Sequence, residues 1–330
     1  MNSTLNQVRS LIQQSHRCVL TTHVNPDGDG LGSELALARF LQKLGKEATI
    51  INHSATPDNY LWIDTNNEII RFVPERDREK ILQADLLFIL DTNQPDRLRS
   101  IEPFLHQSKA IKIVIDHHLE PHTFADHYLI DDEATSTGEI IYRVIISMNK
   151  ELIDTSIAEA LYTAIMTDTG SFRFPRTDSE THHIIAHLLE YDLSPMRMYA
   201  NIYENWSLGR MRLLGEVLDS MQTMYDGKLA YVVCTRKMFR ETGTTEVETD
   251  NFTTYPMSVR GVVIGILFNE LQNGVKISFR SKGTIPINQL AKEFGGNGHL
   301  NAAGARLFDV KLEEIVPQVV EQAKKYVNLI

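Results

Sequence analysis

Four short runs of branched and apolar residues, at 18–22, 48–51, 86–90 and 111–115, mark the first third of the chain. They are rich in Val, Ile and Leu, and none of them alternates polar with apolar positions. Runs of this kind read as strands buried on both faces, because a strand with one wet face must alternate. Helix-like stretches lie between them, such as 31–44, closed by Gly45. Strands that alternate with helices build a parallel sheet covered on both sides. The spacing therefore predicts an α/β fold with a doubly wound parallel sheet.

From Thr137 to about Trp206 the pattern turns helical. Beyond it the signals change. Asp226-Gly227 separates apolar runs at 221–225 and 228–234, and Asn273-Gly274 separates runs at 262–268 and 275–279. Both dipeptides are hairpin signals. A glycine-rich segment, GGNGHLNAAG, follows near the end, and then a helix. With 330 residues, two domains are expected. The boundaries are drawn as a first domain over 1–190, a connecting segment and helix over 191–220, and a smaller α/β domain over 221–330, with a cleft between the two domains.

Composition narrows the function. The net charge is −10, whereas a protein that grips a long duplex through many phosphates carries a basic surface. Long duplex nucleic acid is therefore excluded as a partner, while a short phosphorylated ligand is not. The longest nearly apolar run, around 262–268, is far short of the ~20 residues that span a bilayer, so no membrane partner is expected. The polar N-terminal stretch lacks the apolar segment of a secretory signal. Cys18 and Cys234 are the only two cysteines, and both lie inside apolar runs. They read as reduced, buried strand residues of a cytoplasmic protein.

The placement of Asp and His carries the chemistry. His23, Asp27 and Asp29 follow the first run in THVNPDGDG; Asp91 follows LLFIL; Asp116, His117 and His118 follow IKIVI. Asp168 ends a helical segment in MTDTGSF. In an open parallel sheet the carboxyl ends of the strands form the ligand crevice, so the topology gathers these groups at one edge. Two carboxylates ~4 Å apart repel by ~4 kcal/mol at an effective dielectric of 20. Divalent ions remove that cost, since two of them balance Asp27, Asp29, Asp91 and Asp168. Mixed imidazole and carboxylate ligands suit Mn²⁺, with Mg²⁺ the less favoured choice. A dinucleotide-binding loop does not fit: Gly28, Gly30 and Gly32 are spaced by two, and Asp27 and Asp29 would repel a pyrophosphate.

HVNPDGDGLGS, the lone Asp91, the Asp116-His117-His118 triplet and Asp168 together resemble the four motifs of the DHH phosphoesterase superfamily. SFRSKGTIPINQLAKEFGGNGHLNAAGA resembles its DHHA1 substrate domain, and the compact layout is similar to the NrnA type. Those proteins are oligoribonucleases, often also 3′-phosphoadenosine 5′-phosphate (pAp) phosphatases. The resemblance implies a catalytic centre of Asp91, Asp116, His117 and His118. His23 and Asp27 would hold a first metal, Asp29, His117 and Asp168 a second, and Asp91 would bridge them. His118 would touch the substrate phosphate, with Asp116 orienting its neighbours from behind. In the second domain, Arg280 and Ser281 would grip a substrate phosphate, and Gly295, Gly296, Gly298 and His299 would form a glycine-rich anion loop. Asn297 departs from the family pattern, which commonly has Gly there. Asn tolerates the left-handed conformation, so the loop is expected to survive.

The same resemblance implies two divalent metals and attack by a bridging hydroxide on phosphorus. The substrates would be pAp and single-stranded RNA of roughly two to five nucleotides, in keeping with the weak hold of an acidic protein on long strands. A homodimer is compatible with the sequence. The rivals are a cyclic-dinucleotide or pApA phosphodiesterase, a RecJ-like exonuclease, and a catalytically silent nucleotide sensor. The remaining histidines read as structural. His183 and His187, four apart on a helix, form a partly exposed pair, and His122 and His127 are loop residues. Phe172 and Phe174 are equally suited to base stacking and to core packing.

Overall fold

The apolar runs form strands, and their lack of alternation has a direct cause. In the computed structural model, which describes residues 2–328 apart from the side chains of Asn2, Ser3 and His299, neighbouring residues of each strand enter different cores. Leu20, Phe88 and Ile113 enter one core, while Val19, Leu87, Ile89 and Val114 enter another on the opposite face.

The chain divides into two compact units, Met1–Asn205 and Trp206–Ile330. In the first, strands β1 (Arg17–Thr21), β2 (Glu47–Asn52), β3 (Ile69–Arg71), β4 (Leu86–Leu90), β5 (Ile111–Asp116) and β6 (His127–Ile130) make one sheet in the order β3-β2-β1-β4-β5-β6. Every pairing in it is parallel. Helices α1 (Asn2–Gln14), α2 (Gly28–Lys43), α3 (Pro74–Leu82), α4 (Glu102–Gln107), α5 (Thr137–Asn149), α6 (Thr155–Asp168), α7 (Ser179–Leu188) and α8 (Pro195–Tyr203) cover its two faces. This is the doubly wound α/β architecture that the spacing predicts. The edge strands β3 and β6 are additions, and His127 opens β6 rather than lying in a loop.

Helix α2 starts where it does because Asp27 caps it: its Oδ1 accepts from the N–H groups of Asp29 and Gly30 at 3.1 and 3.2 Å. The helix then lies close against α6. A Cβ on Gly32 would come within 2.4 Å of the Ala160 carbonyl oxygen, so only glycine lets the two backbones approach this closely.

The second unit holds helices α9 (Leu208–Asp219), α10 (Arg236–Thr242), α11 (Thr254–Met257), α12 (Ile287–Glu293) and α13 (Leu312–Val327). Its strands are β7 (Gln222–Met224), β8 (Leu229–Cys234), β9 (Ile264–Leu271), β10 (Gly274–Ser281), β11 (Asn297–His299) and β12 (Ala302–Phe308), in the order β11-β12-β10-β9-β8-β7. Only β8 and β9 run parallel. The β7–β8 hairpin turns through Tyr225, Asp226 and Gly227, all at positive φ. The β9–β10 hairpin turns one residue earlier than Asn273-Gly274 suggests. Its loop is Gln272 and Asn273, and Gly274 already pairs with Leu271.

The division falls inside the 191–220 stretch read as a connection. Tyr191, Leu193, Met198, Ile202 and Tyr203 pack into the first unit, whereas Leu213, Leu214 and Val217 of α9 pack into the second. Both parts are amphipathic and each is held by its own core. Cys18 and Cys234 are free thiols buried in β1 and β8. Burial pushes each thiol up to about 12, so both are inert packing residues. Among the described residues no helix is long and apolar enough to cross a membrane.

Candidate metal centre

The strand order reverses between β1 and β4: the chain leaves β1 toward β2 on one side and β4 toward β5 on the other. At such a switch point the loops diverge and open a crevice at the carboxyl ends of the strands. His23 follows β1, Asp27 and Asp29 lie at the start of α2, Asp91 follows β4, and Asp116 to His118 close β5. Helix α6 brings its last residue, Asp168, to the same place. Asp91 has φ 58°, left-handed for a residue with a side chain, and its N–H is held by Ile115 O at 3.1 Å. Backbone strain of this kind persists where surrounding structure fixes a functional group.

The first-unit residues expected at the site come together. His23 Nε2 lies 3.3 Å from Asp91 Oδ2 and 3.9 Å from Asp27 Oδ1. His117 Nε2 lies 3.3 Å from Asp168 Oδ2, 3.6 Å from Asp91 Oδ1 and 3.7 Å from Asp29 Oδ2. Three donor groups result, His23–Asp27–Asp91, Asp29–His117–Asp168 and Asp91–Asp116–His117–His118, with one donor atom from each residue of a group within 4.8 Å of the others. Asp91 turns one oxygen to each histidine. Asp116 Oδ1 accepts from the His117 N–H at 2.9 Å and pairs with His118 Nδ1 at 2.7 Å.

These donors fit divalent metal. His117 Nε2 is buried, faces three carboxylates, and makes no hydrogen bond among the described residues. A hydrogen bond would draw donor and acceptor to about 2.9 Å. The wider spacing is that of ligands set around a shared cation. Electrostatics agrees. Burial works against a charge on Asp91, but the His23 hydrogen bond and charge, with His118 and His117 behind them, outweigh it and hold that carboxyl below its usual range. Burial and the charges of Asp91 and Asp168 drive Asp29 well above that range. Burial, Asp91 and Asp27 push Asp168 up to about 8. Burial would lower His118, yet the Asp116 hydrogen bond and the Asp91 charge outweigh it and push the imidazole to about 9.

A pH dependence follows. A divalent ion bound here must displace the protons that burial and the neighbouring carboxylates favour on Asp29 and Asp168, so metal affinity should fall as pH drops below about 8, by up to about tenfold per unit for each proton displaced. The folded metal-free protein binds these protons more tightly than the unfolded chain does. The stability that the Asp168 proton contributes is therefore complete below the ordinary carboxylate range and is lost as pH rises through about 8. Calorimetric titration with Mn²⁺ and melting of the metal-free protein, both between pH 6 and 9, check the two slopes. An affinity independent of pH would contradict the assignment.

Sequence reasoning missed the support for Asp29. Thr137 N–H donates to its Oδ2 at 2.7 Å and Gly138 N–H to its Oδ1 at 2.8 Å. The Thr137 hydroxyl also donates to Asp91 Oδ1 at 3.1 Å. The start of α5, capped by Ser136, thus holds two acidic groups by its free N–H groups and one hydroxyl. Ser136-Thr137-Gly138-Glu139 is legible as a helix start, but nothing local tells which carboxylate it meets.

In the second unit, the half-buried Arg280 donates Nη1 to Phe279 O at 3.0 Å, its one side-chain hydrogen bond among the described residues. The Ser281 hydroxyl donates to Ile285 O at 2.8 Å and accepts from Asn301 Nδ2 at 2.9 Å. Gly295 adopts φ 70°, the left-handed conformation that favours glycine. Gly296 follows it, and Gly298 lies within β11. Asn297 pairs with Gly304 as part of the same short strand and has no positive φ, so its tolerance of the left-handed region is not called upon. The His299 side chain lies outside the described residues.

Elsewhere, His183 Nδ1 pairs with Ser179 O at 2.6 Å and His187 Nδ1 with the Tyr142 hydroxyl at 3.0 Å, a structural pair as read. Phe172 packs against Tyr162 and His182, while the Phe174 ring is exposed.

A model of the DHH family, N-terminal domain, matches residues 17–165, and one of the DHHA1 domain matches residues 226–329. The chain belongs to the DHH/DHHA1 phosphoesterase family. It is similar to the bifunctional oligoribonuclease and PAP phosphatase NrnA of Thermus thermophilus, with 29% identity over 93% of this chain and 89% of that one. The protein of the same name from Bacillus subtilis is 28% identical over 88% and 89%. A crystal structure of an exopolyphosphatase-related protein from Bacteroides fragilis superposes with a TM-score of 0.95 at 33% identity, covering 100% of this chain and 98% of that one. The chain is thus a DHH phosphoesterase of the NrnA type, with an acidic cluster that could hold divalent metal.

Proposed function

We propose that this DHH phosphoesterase uses two divalent ions, Mn²⁺ by preference, to hydrolyse pAp and single-stranded RNA of roughly two to five nucleotides in the cytoplasm, its acidity disfavouring long strands. The observation that carries the reading is the buried His117 Nε2, without a hydrogen bond among the described residues, beside Asp29, Asp91 and Asp168. The names of the relatives support the substrate class. His23, Asp27 and Asp91 would hold one ion, Asp29, His117 and Asp168 the other, and Asp91 both. When bound, the ions supply Lewis acidity toward a phosphoryl group and a nucleophile from water at neutral pH.

The chain's own residues do the rest. Asp116 holds His118 Nδ1 at 2.7 Å and so orients the ring, whose other nitrogen donates to a phosphate oxygen. The first turn of α5 keeps Asp29 and Asp91 in place. In the second unit, Arg280 takes a substrate phosphate, since a guanidinium with unused N–H groups suits bidentate recognition. Ser281, held between Ile285 O and Asn301, fixes the segment beside Arg280, and the glycine-rich segment of Gly295, Gly296, Gly298 and His299, whose Gly295, Gly296 and Gly298 N–H groups are already donated within the protein, acts by letting an anion approach a surface free of bulky side chains. Water adds to phosphorus and the bond to the ribose 3′-oxygen breaks, releasing 5′-mononucleotides. On pAp the same cleavage yields AMP and phosphate.

The test is hydrolysis of a 5′-labelled ladder from dinucleotide to heptanucleotide beside pAp, pApA, a cyclic dinucleotide, pyrophosphate and long single-stranded DNA, with Mn²⁺, with Mg²⁺ and with chelator. The shortest RNAs and pAp should turn over fastest with Mn²⁺, and chelator should stop them. Preference for long DNA or for cyclic dinucleotides overturns the substrate reading. Metal binding without turnover of any substrate favours a nucleotide sensor.

A further inference from the structure

Behind the metal centre lies a buried polar chain that no ligand set includes. Glu34, on α2, is fully buried, as is Asn52 at the end of β2. Asn52 Nδ2 donates to Glu34 Oε2 at 2.7 Å, and Asn52 Oδ1 accepts from the Thr22 N–H at 3.1 Å. Thr22 in turn donates its hydroxyl to Leu90 O at 2.8 Å. Thr22 precedes His23 and Leu90 precedes Asp91, so these bonds tie together the ends of the two strands that carry those groups. Packing keeps the chain tight: a Cβ on Gly30, one helical turn before Glu34, would meet the Thr22 hydroxyl at 2.6 Å.

A buried carboxyl is costly and is kept where its hydrogen bonds matter. Among the described residues the Glu34 side chain makes one hydrogen bond, and its Oε1 has no partner. A hydrophobic side chain would fill the same space without that cost. The placement makes sense if Glu34 acts through Asn52. The Asn52 amide must face one way, with its oxygen toward Thr22 and its nitrogen toward Glu34, and an acceptor at position 34 fixes that choice. Without it the amide can turn, and a nitrogen would then confront the Thr22 N–H.

We propose that Glu34 is a positioning residue for the metal centre, acting through Asn52 and Thr22 to set the spacing of His23 and Asp91. The proposal rests on the metal reading above. It does not depend on which phosphoester is the substrate. Partners that orient metal ligands from behind typically account for about 10–100-fold in metal affinity or activity.

The experiment measures Mn²⁺ binding by calorimetry and by electron paramagnetic resonance on the full chain, with turnover as a second readout. Glu34→Leu should weaken Mn²⁺ binding about 10–100-fold, with activity regained at high Mn²⁺ and KM for the substrate unchanged. Glu34→Gln keeps an acceptor for Asn52 and should bind Mn²⁺ like the wild type. Asn52→Ala should match Glu34→Leu, and the double variant should be no worse than either single one, because both break the same chain. Additive losses, wild-type Mn²⁺ affinity in Glu34→Leu, or failure of Glu34→Gln to rescue would each overturn the proposal. Should Glu34→Leu not fold, Asn52→Ala and Glu34→Gln decide by the same two comparisons. A wild-type protein that binds no Mn²⁺ would instead refute the metal reading itself.

Discussion

Asp91→Ala leaves the fold intact and removes at least about 10²–10³-fold of turnover, the cost of deleting one group from a preorganised electrostatic site. No other side chain touches so much of the centre. Its Oδ2 faces His23 and its Oδ1 faces His117 and His118, so its loss disrupts at once both of the donor groups it belongs to. The fold should survive because the carboxylate makes no apolar core contact, and relieved repulsion with Asp29 and Asp168 partly offsets the loss of its Thr137 hydrogen bond and histidine partners. The left-handed backbone at this position limits that gain, since alanine is strained there as well. Circular dichroism beside a turnover assay separates the two effects. Wild-type turnover in folded Asp91→Ala would end the assignment.

Gly32→Ala should destabilise the first unit. The added methyl would lie 2.4 Å from Ala160 O and 3.0 Å from the Ala164 side chain and backbone nitrogen. The nearest neighbour is helix backbone, which cannot rotate away, so α2 and α6 must separate. Overpacking of this kind costs about 1–3 kcal/mol, or roughly 2–12 °C in melting temperature for a unit of this size. The same movement draws Asp29 on α2 away from Asp168 on α6. Mn²⁺ binding should therefore weaken together with the melting temperature, whereas a purely structural loss elsewhere in the unit would leave the affinity of the folded fraction unchanged. An unaltered melting temperature would mean that the two helices have room to spare.

Much of the centre is legible in the chain because its signals are local. A run of Val, Ile and Leu without alternation is a strand buried on both faces, and the residue after it lies at the sheet's carboxyl edge. His23, Asp91 and His117 are found in this way without any contact being known. Glycine-rich segments are read less well. The hairpin at Asn273-Gly274 turns one residue early, and the stretch around Asn297 is a paired strand rather than a free loop. In both places dipeptide chemistry indicates a bend, while the ladder of the neighbouring strands decides its register. Strands β3 and β6 escape notice because three or four residues carry too little pattern. The connection read over 191–220 fails to stand out for the opposite reason: its helices are amphipathic, and periodicity alone does not say which core they join.

The residues of the chain by themselves determined which groups stand at the ends of buried strands and that their charges call for a counter-ion, since burial pattern and charge are properties of short segments. Which strands lie side by side was decided only in three dimensions. Parallel pairing of β1 with β4 and of β4 with β5 brings residues 23, 91 and 117 to one crevice, and the approach of α5 and α6 adds the clamp on Asp29 and the carboxylate of Asp168. Those neighbours come from packing between segments far apart in sequence, and no local pattern encodes them.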